Sequence, residues 1–298
     1  MRIARFAVGD EVFYGLVGTA REGRGAGAGA ERGRARSAGA GQAERGGGTS
    51  RAPGEQVIAE LAGHPLGAAK DSTRLTGTTY LLTDVRLLAP VLPSKVIGFG
   101  AAGPGTGSGT DDGLADGSVL YLKPSTAVCG PSDAIRYPGE LTRSVTAEGE
   151  LAVVIGRLCR GVPASQAAGV IFGYTCATDV TARDLAERDG QWTRAKGFDT
   201  FCPLGPWIET GADPGDLALT TAVNGEVRGR GGGGGSQLRQ SVPALVAYAS
   251  SVMTLLPGDV LLTGAAVGAG AWPVEPGDEV SVTVDGIGTL TNKVEKGD

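Results

Sequence analysis

Glu148-Gly149-Glu150-Leu151-Ala152-Val153-Val154-Ile155-Gly156 is the stretch on which the fold turns. Residues 151–155 form an apolar run of strand length, and the charges at its start fall two residues apart. Side chains alternate along a strand, so Glu148 and Glu150 share one face and aim two carboxylates at one point. The next strand-like run, 171–177, leads through Thr178 to Asp179 and brings a third carboxylate to a strand-to-helix junction. Three acidic side chains suit a hard divalent ion, Mg²⁺, Mn²⁺ or Ca²⁺, better than zinc. By itself the Glu-x-Glu spacing describes an ordinary solvent-facing pair equally well.

Outward from this stretch, strands dominate. Residues 2–8 and 12–17 flank Gly9-Asp10-Glu11 as a hairpin, and 80–88, 96–99, 119–122, 259–263, 279–284 and 288–294 read as further strands. Asn224-Gly225 between 217–223 and Val227 is a type I′ hairpin signal. Helices are expected at 56–61, from Pro163 to about residue 170, after Thr181 as N-cap, and from Ser241 as N-cap to residue 256, before Pro257-Gly258. No regular β-α-β alternation appears, which gives a β-rich α+β protein. A small N-terminal β domain is expected over 1–75 and a catalytic domain over 76–298.

Composition narrows the function. Among 298 residues there are 27 basic and 32 acidic side chains, so no field of one sign favours nucleic acid as a partner. The apolar runs are far below the roughly 20 residues of a membrane span, and the N-terminus lacks the apolar core of a signal peptide, so a cytoplasmic location is expected. The four cysteines form no C-x-x-C pair and read as reduced core residues, and the only histidine, His64, sits between Gly63 and Pro65 as a loop residue. The 52 glycines concentrate in tracts. Residues 21–54 hold 11 Gly, 8 Ala and 7 Arg without a large apolar side chain, the composition of a flexible segment. That tract has no Phe or Tyr to stack on bases, which disfavours specific nucleic-acid binding. A second tract spans 98–118, and a five-glycine run follows Arg230.

Longer words carry more information. The 148–156 stretch, Phe172-Gly173-Tyr174-Thr175 with Asp179-Val180-Thr181-Ala182-Arg183-Asp184, and the run from Gln191-Trp192-Thr193-Arg194-Ala195-Lys196-Gly197-Phe198-Asp199 to Trp207 resemble the fumarylacetoacetate hydrolase family. Val223-Asn224-Gly225-Glu226-Val227, Leu255-Leu256-Pro257-Gly258-Asp259 with Val260-Leu261-Leu262-Thr263-Gly264, and Gly286-Ile287-Gly288-Thr289-Leu290 extend the likeness over roughly residues 90–294. The resemblance implies a mixed β-sandwich roll, usually a homodimer, with Mg²⁺ or a similar ion on Glu148, Glu150 and Asp179. It implies catalytic roles for Lys196 and Arg183, and substrate contacts at Thr263 and Gly264. The implied activity is metal-dependent cleavage of carbon-carbon bonds in acylpyruvates or 1,3-diketo acids. Decarboxylation or tautomerisation of 2-oxo acids on the same site, or metal binding without catalysis, are the alternatives.

The sequence departs from that family at the lid. Members usually follow the strand at 96–98 with an N-Y-x-x-H word whose histidine serves water activation, whereas this chain reads Gly98-Phe99-Gly100-Ala101-Ala102-Gly103-Pro104-Gly105. Pro104 among glycines does not favour a helix, and the family's T-G-T-P is here Thr263-Gly264-Ala265-Ala266. Hydrolysis is therefore expected to be impaired more than tautomerisation. Gly98-x-Gly100-x-x-Gly103 also matches a dinucleotide fingerprint, but that mechanism needs a helix N-terminus, which Pro104-Gly105 does not supply.

Overall fold

The uninterrupted apolarity of 151–155 has a direct cause in the computed structural model, which describes residues 1–20, 54–66, 74–101, 118–232, 241–265 and 270–297. Leu151, Val153 and Ile155 join one buried cluster, while Ala152 and Val154 on the opposite face join another. A strand covered on both faces has no solvent side and needs no polar alternation.

In chain order the strands are β1 (Arg2–Val8), β2 (Glu11–Thr19), β3 (Gln56–Leu61), β4 (Leu75–Leu81), β5 (Arg86–Leu88), β6 (Val96–Ala101), β7 (Ser118–Lys123), β8 (Val128–Cys129), β9 (Ile135–Tyr137), β10 (Val145–Ile155) and β11 (Ile171–Ala182). Helices α1 (Arg183–Asp189) and α2 (Thr193–Lys196) follow, then β12 (Cys202–Glu209), β13 (Ala218–Val223), β14 (Glu226–Gly232) and helix α3 (Val242–Val252). The last strands are β15 (Val260–Leu262), β16 (Trp272–Pro273), β17 (Glu279–Val284) and β18 (Gly288–Lys296).

The large mixed sheet runs β4-β3-β2-β1-β12-β11-β10-β15-β6-β7, with short β5, β8 and β16 attached, and a second sheet runs β14-β13-β17-β18-β9. β1 lies antiparallel to β12 at Arg2↔Glu209 and Ile3↔Ile208, so the N-terminal strands extend the large sheet. Strand-rich, with two packed mixed sheets and an N-terminal β module, the chain has the β-sandwich roll architecture of an α+β protein. The sheets meet at β10, where a side chain at Gly149 would run into Thr221 and Val282 of the second sheet. Glycine between the two glutamates lets the sheets approach there, while Glu148 and Glu150 face the other way.

Several local expectations are corrected. Residues 56–61 form β3, not a helix; they pair with β2 on one side and β4 on the other, which outweighs the weak helical tendency of a six-residue segment. The 80–88 run is broken by a 3₁₀ turn at Leu82–Asp84. The segment after Pro163 is 3₁₀ rather than α-helical. Thr181 is no N-cap: β11 continues to Ala182, Thr181 is buried in it, and α1 starts without a side-chain cap. Ser241 does cap α3, accepting from the Ala244 N–H at 3.2 Å, although that helix ends at Val252. Asn224 and Gly225 have φ of 54° and 78°, as a type I′ turn requires. His64 is an exposed loop residue whose Nδ1 accepts from the Leu66 N–H. The cysteines are free thiols. Residues 21–53 of the arginine-glycine tract, 102–117 of the second tract, and 233–240 with the end of the glycine run lie outside the described residues. Among the described residues, no helix is long and apolar enough to cross a membrane.

Candidate active site

Register decides how the three carboxylates meet. In the β10–β11 ladder Glu148 lies directly opposite Asp179, and Glu150 lies two residues further along β10, opposite Ala177. Period two keeps all three near one face, and two long, adjacent antiparallel strands hold them there. Glu150 and Asp179 are buried, at 2% and 1% exposure, while Glu148 is partly accessible.

Two lysines answer this charge. Lys196, at the end of α2, contacts Asp179 Oδ2 and stands 3.8 Å from Glu148. Its ammonium also lies 4.6 Å from the Tyr121 ring centroid and 6.0 Å from that of Trp192. Lys123, at the end of β7, is fully buried and reaches Asp179 Oδ1 at 2.7 Å. The Tyr121 hydroxyl donates to Asp179 Oδ2 at 2.5 Å. Burial alone would raise the Asp179 carboxyl, but the charges of the two ammonium groups, with the hydrogen bond from Lys196, outweigh it and hold the group at about 2. Glu150 is pushed the other way, well above the usual carboxylate range, by burial and by the negative charge of Asp179 and Glu148. Glu148 is raised by burial, with Lys196 opposing.

The remaining expected residues are placed as follows. Arg183 begins α1, partly exposed, with Glu148 as its ion partner at 3.4 Å and Nε donating to Thr146 at 3.1 Å. Gly264 donates its N–H to Glu150 Oε2 at 2.8 Å from a backbone with φ of 80°, a conformation that favours glycine. Thr263 is fully buried and its hydroxyl donates to the Leu151 carbonyl at 3.0 Å, so that group is already engaged. The structure thus gathers Glu148, Glu150, Asp179, Lys196, Arg183 and Gly264, with Thr263 anchoring the strand end behind them.

Tyr121, Lys123 and Trp192 are site residues that the sequence reading passed over. Along β7 the apolar Leu122 is 44% exposed while Lys123 is buried, so hydropathy points to the wrong face of the strand. The available signal was the period itself: Tyr121 and Lys123 share a face. Gly98 and Gly100 explain the glycine-rich start of the second tract. Both lie within β6, paired to β7, where side chains would collide with the Tyr121 and Trp192 rings. They make room for aromatic walls and form no phosphate loop.

Three carboxylates without a soft ligand are a donor set suited to a hard divalent ion, and burial with mutual repulsion makes Glu150 a group whose charged form a bound cation would favour. The side chains as they stand are not drawn around one point. Among the described residues no group of three acidic, histidine or cysteine side chains encloses an ion position, Asp179 being engaged by the lysines.

Fold and site together define a mixed β-sandwich roll with a buried carboxylate-lysine centre. The chain belongs to the fumarylacetoacetate hydrolase family: the model described as "Fumarylacetoacetate (FAA) hydrolase C-terminal" matches residues 107–295, and one described as "Rv2993c-like, N-terminal" matches 34–90. Protein Rv2993c of Mycobacterium tuberculosis is 48% identical over 81% of this chain and 89% of its own length. Oxaloacetate tautomerase YisK of Bacillus subtilis is 34% identical over 82% of this chain and 84% of its own. A 5-carboxymethyl-2-hydroxymuconate delta-isomerase from Mycobacterium smegmatis superposes with a TM-score of 0.76 at 42% identity, covering 99% of this chain and 100% of that one. A maleylpyruvate hydrolase from Sphingobium sp. SYK-6, solved with manganese(II) and pyruvate, gives 0.67 at 27% identity with 100% of both chains covered.

Proposed function

We propose that this protein is a divalent-metal-dependent enzyme of 2-oxo acid enol chemistry, interconverting keto and enol forms of oxaloacetate-class acids. The observation that carries the reading is the buried Lys196 ammonium, set between Asp179 and Glu148 and walled by Tyr121 and Trp192. Glu148, Glu150 and Asp179 would hold the ion, Mg²⁺ or Mn²⁺, which when bound withdraws electron density from chelated substrate oxygens and favours the enolate. Lys196 offers Nζ to an anionic substrate oxygen and can hold or move a proton there. Arg183, at the accessible rim, presents a planar guanidinium suited to a distal carboxylate. The Tyr121 and Trp192 rings keep water from one side of the ammonium, which strengthens each charge interaction. The tautomerase named in Bacillus subtilis and the isomerase from Mycobacterium smegmatis support this reading.

The second reading is hydrolysis of a carbon-carbon bond in an acylpyruvate, favoured by the family description and by the maleylpyruvate hydrolase. That reaction needs an activated water as well as enolate stabilisation. The chain's only histidine, His64, belongs to the loop after β3, with Nδ1 engaged by the Leu66 N–H. A positioned base contributes about 10²- to 10⁴-fold, so hydrolysis is expected to be weaker than the family norm by about that factor, with tautomerisation affected less. The test follows the enol absorbance of oxaloacetate and acetylpyruvate with Mn²⁺ and with EDTA, and identifies products. Metal-dependent loss of enol without cleavage supports the tautomerase; faster release of pyruvate from acetylpyruvate favours the hydrolase; no turnover of either substrate refutes both.

A further inference from the structure

Asp179 is served by two lysines of different character. Lys123 has no exposed surface, and its ammonium donates to the carbonyls of Val180 at 2.9 Å, Lys196 at 3.0 Å and Phe201 at 2.7 Å. Three protons are thereby matched by three backbone acceptors. Asp179 Oδ1, 2.7 Å away, makes no hydrogen bond of acceptable geometry and meets Lys123 as a charge. Lys196 is held differently: among the described residues its ammonium meets only the carboxylates of Asp179 and Glu148 and the faces of two aromatic rings. One ammonium is fixed to the main chain on three sides; the other rests on groups that a competing anion can replace.

The carbonyls that Lys123 holds are themselves informative. Val180 follows Asp179 on β11, Lys196 is the second lysine, and Phe201 ends the loop that leads from Lys196 to β12, with the Val180 N–H donating to the Phe201 carbonyl at 3.1 Å. Lys123 therefore clamps the segment that carries Lys196 onto the strand that carries Asp179. We propose that Lys123 is the positioning residue of this site: a fixed charge that keeps Asp179 in place and leaves Lys196 free to pass from the carboxylates to an anionic 2-oxo acid. The inference rests on the enol-chemistry reading above. Without Lys123, Asp179 would keep Lys196 as its sole ammonium partner, and the loop would lose its clamp.

The test is a double-mutant cycle on the full chain with Lys123→Met and Lys196→Met, reading kcat and KM for oxaloacetate tautomerisation with Mn²⁺. The expected result is a fall in kcat of about 10- to 100-fold for Lys123→Met, the range for a group that orients site ligands. In the Lys196→Met background the same change should cost less than about 3-fold, because its effect passes through Lys196. Equal losses in both backgrounds, or an unaltered kcat in Lys123→Met, would overturn the proposal. A measurement on the unmutated protein covers the case in which Lys123→Met does not fold. Reductive methylation read by peptide mass spectrometry should leave Lys123 unlabelled until global unfolding. Lys196 should be labelled and then protected by oxalate with Mn²⁺. Labelling of Lys123 at the rate of Lys196, or no protection of Lys196, would also overturn it. If the unmutated protein shows no turnover, the enol-chemistry reading fails, and the labelling pattern still decides whether Lys123 is the fixed cation.

Discussion

Two buried aspartates, each facing lysine, divide this molecule into a place built for stability and a place built for chemistry. Asp259, at the entry to β15, has no exposed surface and accepts from the Ser94 hydroxyl at 2.6 Å, the Lys95 N–H at 3.3 Å, the Leu256 N–H at 2.7 Å and the Lys95 ammonium. Every donor sits on two short connections that the carboxylate staples together. Asp179 is as deeply buried, yet among the described residues its partners are all side chains: Tyr121, Lys123 and Lys196, with Glu148 and Glu150 adding like charge. Two backbone N–H donors tie Asp259 to the main chain, with two side-chain donors added. Side-chain donors alone, with repulsion left standing, keep Asp179 available to a ligand.

The largest expected consequence lies at Asp259. Asp259→Asn breaks a buried ion pair and places an amide against two backbone N–H groups, which should cost about 3–5 kcal/mol in chemical denaturation. A loss under about 1 kcal/mol would remove the distinction drawn between the two aspartates. Next comes Glu150→Gln, whose effects should run in opposite directions. Tautomerase activity should fall about 10²- to 10³-fold, as for loss of one charge-stabilising group. Stability should rise by about 0.5–2 kcal/mol, because a group whose charge is opposed by burial and by Asp179 and Glu148 becomes permanently neutral while an oxygen remains for the Gly264 N–H. A lower melting temperature for this variant would place Glu150 with Asp259 as a structural group.

A smaller loss is expected for Lys95→Met, about 1.5–3 kcal/mol for one charged hydrogen bond, since Asp259 keeps its three other donors and Lys95 is only partly buried. Equality with Asp259→Asn would mean that the lysine alone carries the staple. The smallest effect concerns Asp184 in the first turn of α1, which accepts from the Thr142 hydroxyl and from the N–H groups of Arg143 and Leu185. Its slight burial would raise the carboxyl, but those donors outweigh it and hold it below the usual range. Such a group stabilises the fold above the ordinary aspartate value, and the contribution fades as pH falls through its own lower one. Melting temperature followed from pH 6 to about pH 3 should therefore decline less steeply in Asp184→Asn than in the parent, by no more than about 1 kcal/mol for this partly exposed site. Parallel curves would show that these donors leave stability unchanged.

The sequence by itself determined the elements whose cause is local. Period two placed Glu148 and Glu150 on one face, Asn224-Gly225 specified its turn, and Ser241 capped α3. Long motifs fixed the family and, with it, the β-sandwich roll. Tertiary structure decided what depends on partners distant in the chain. Residues 56–61 are a strand because β2 and β4 supply their hydrogen bonds. Asp179 reaches Glu148 through the β10–β11 register, and Lys123 turns inward because the carbonyls of Val180, Lys196 and Phe201 and the Asp179 carboxylate converge where β7 ends. A lysine in a strand reads as a solvent group from sequence alone, since nothing in its neighbours reveals the acceptors that offset its desolvation. Those acceptors lie 57 to 78 residues further along the chain, and only folding brings them to one point.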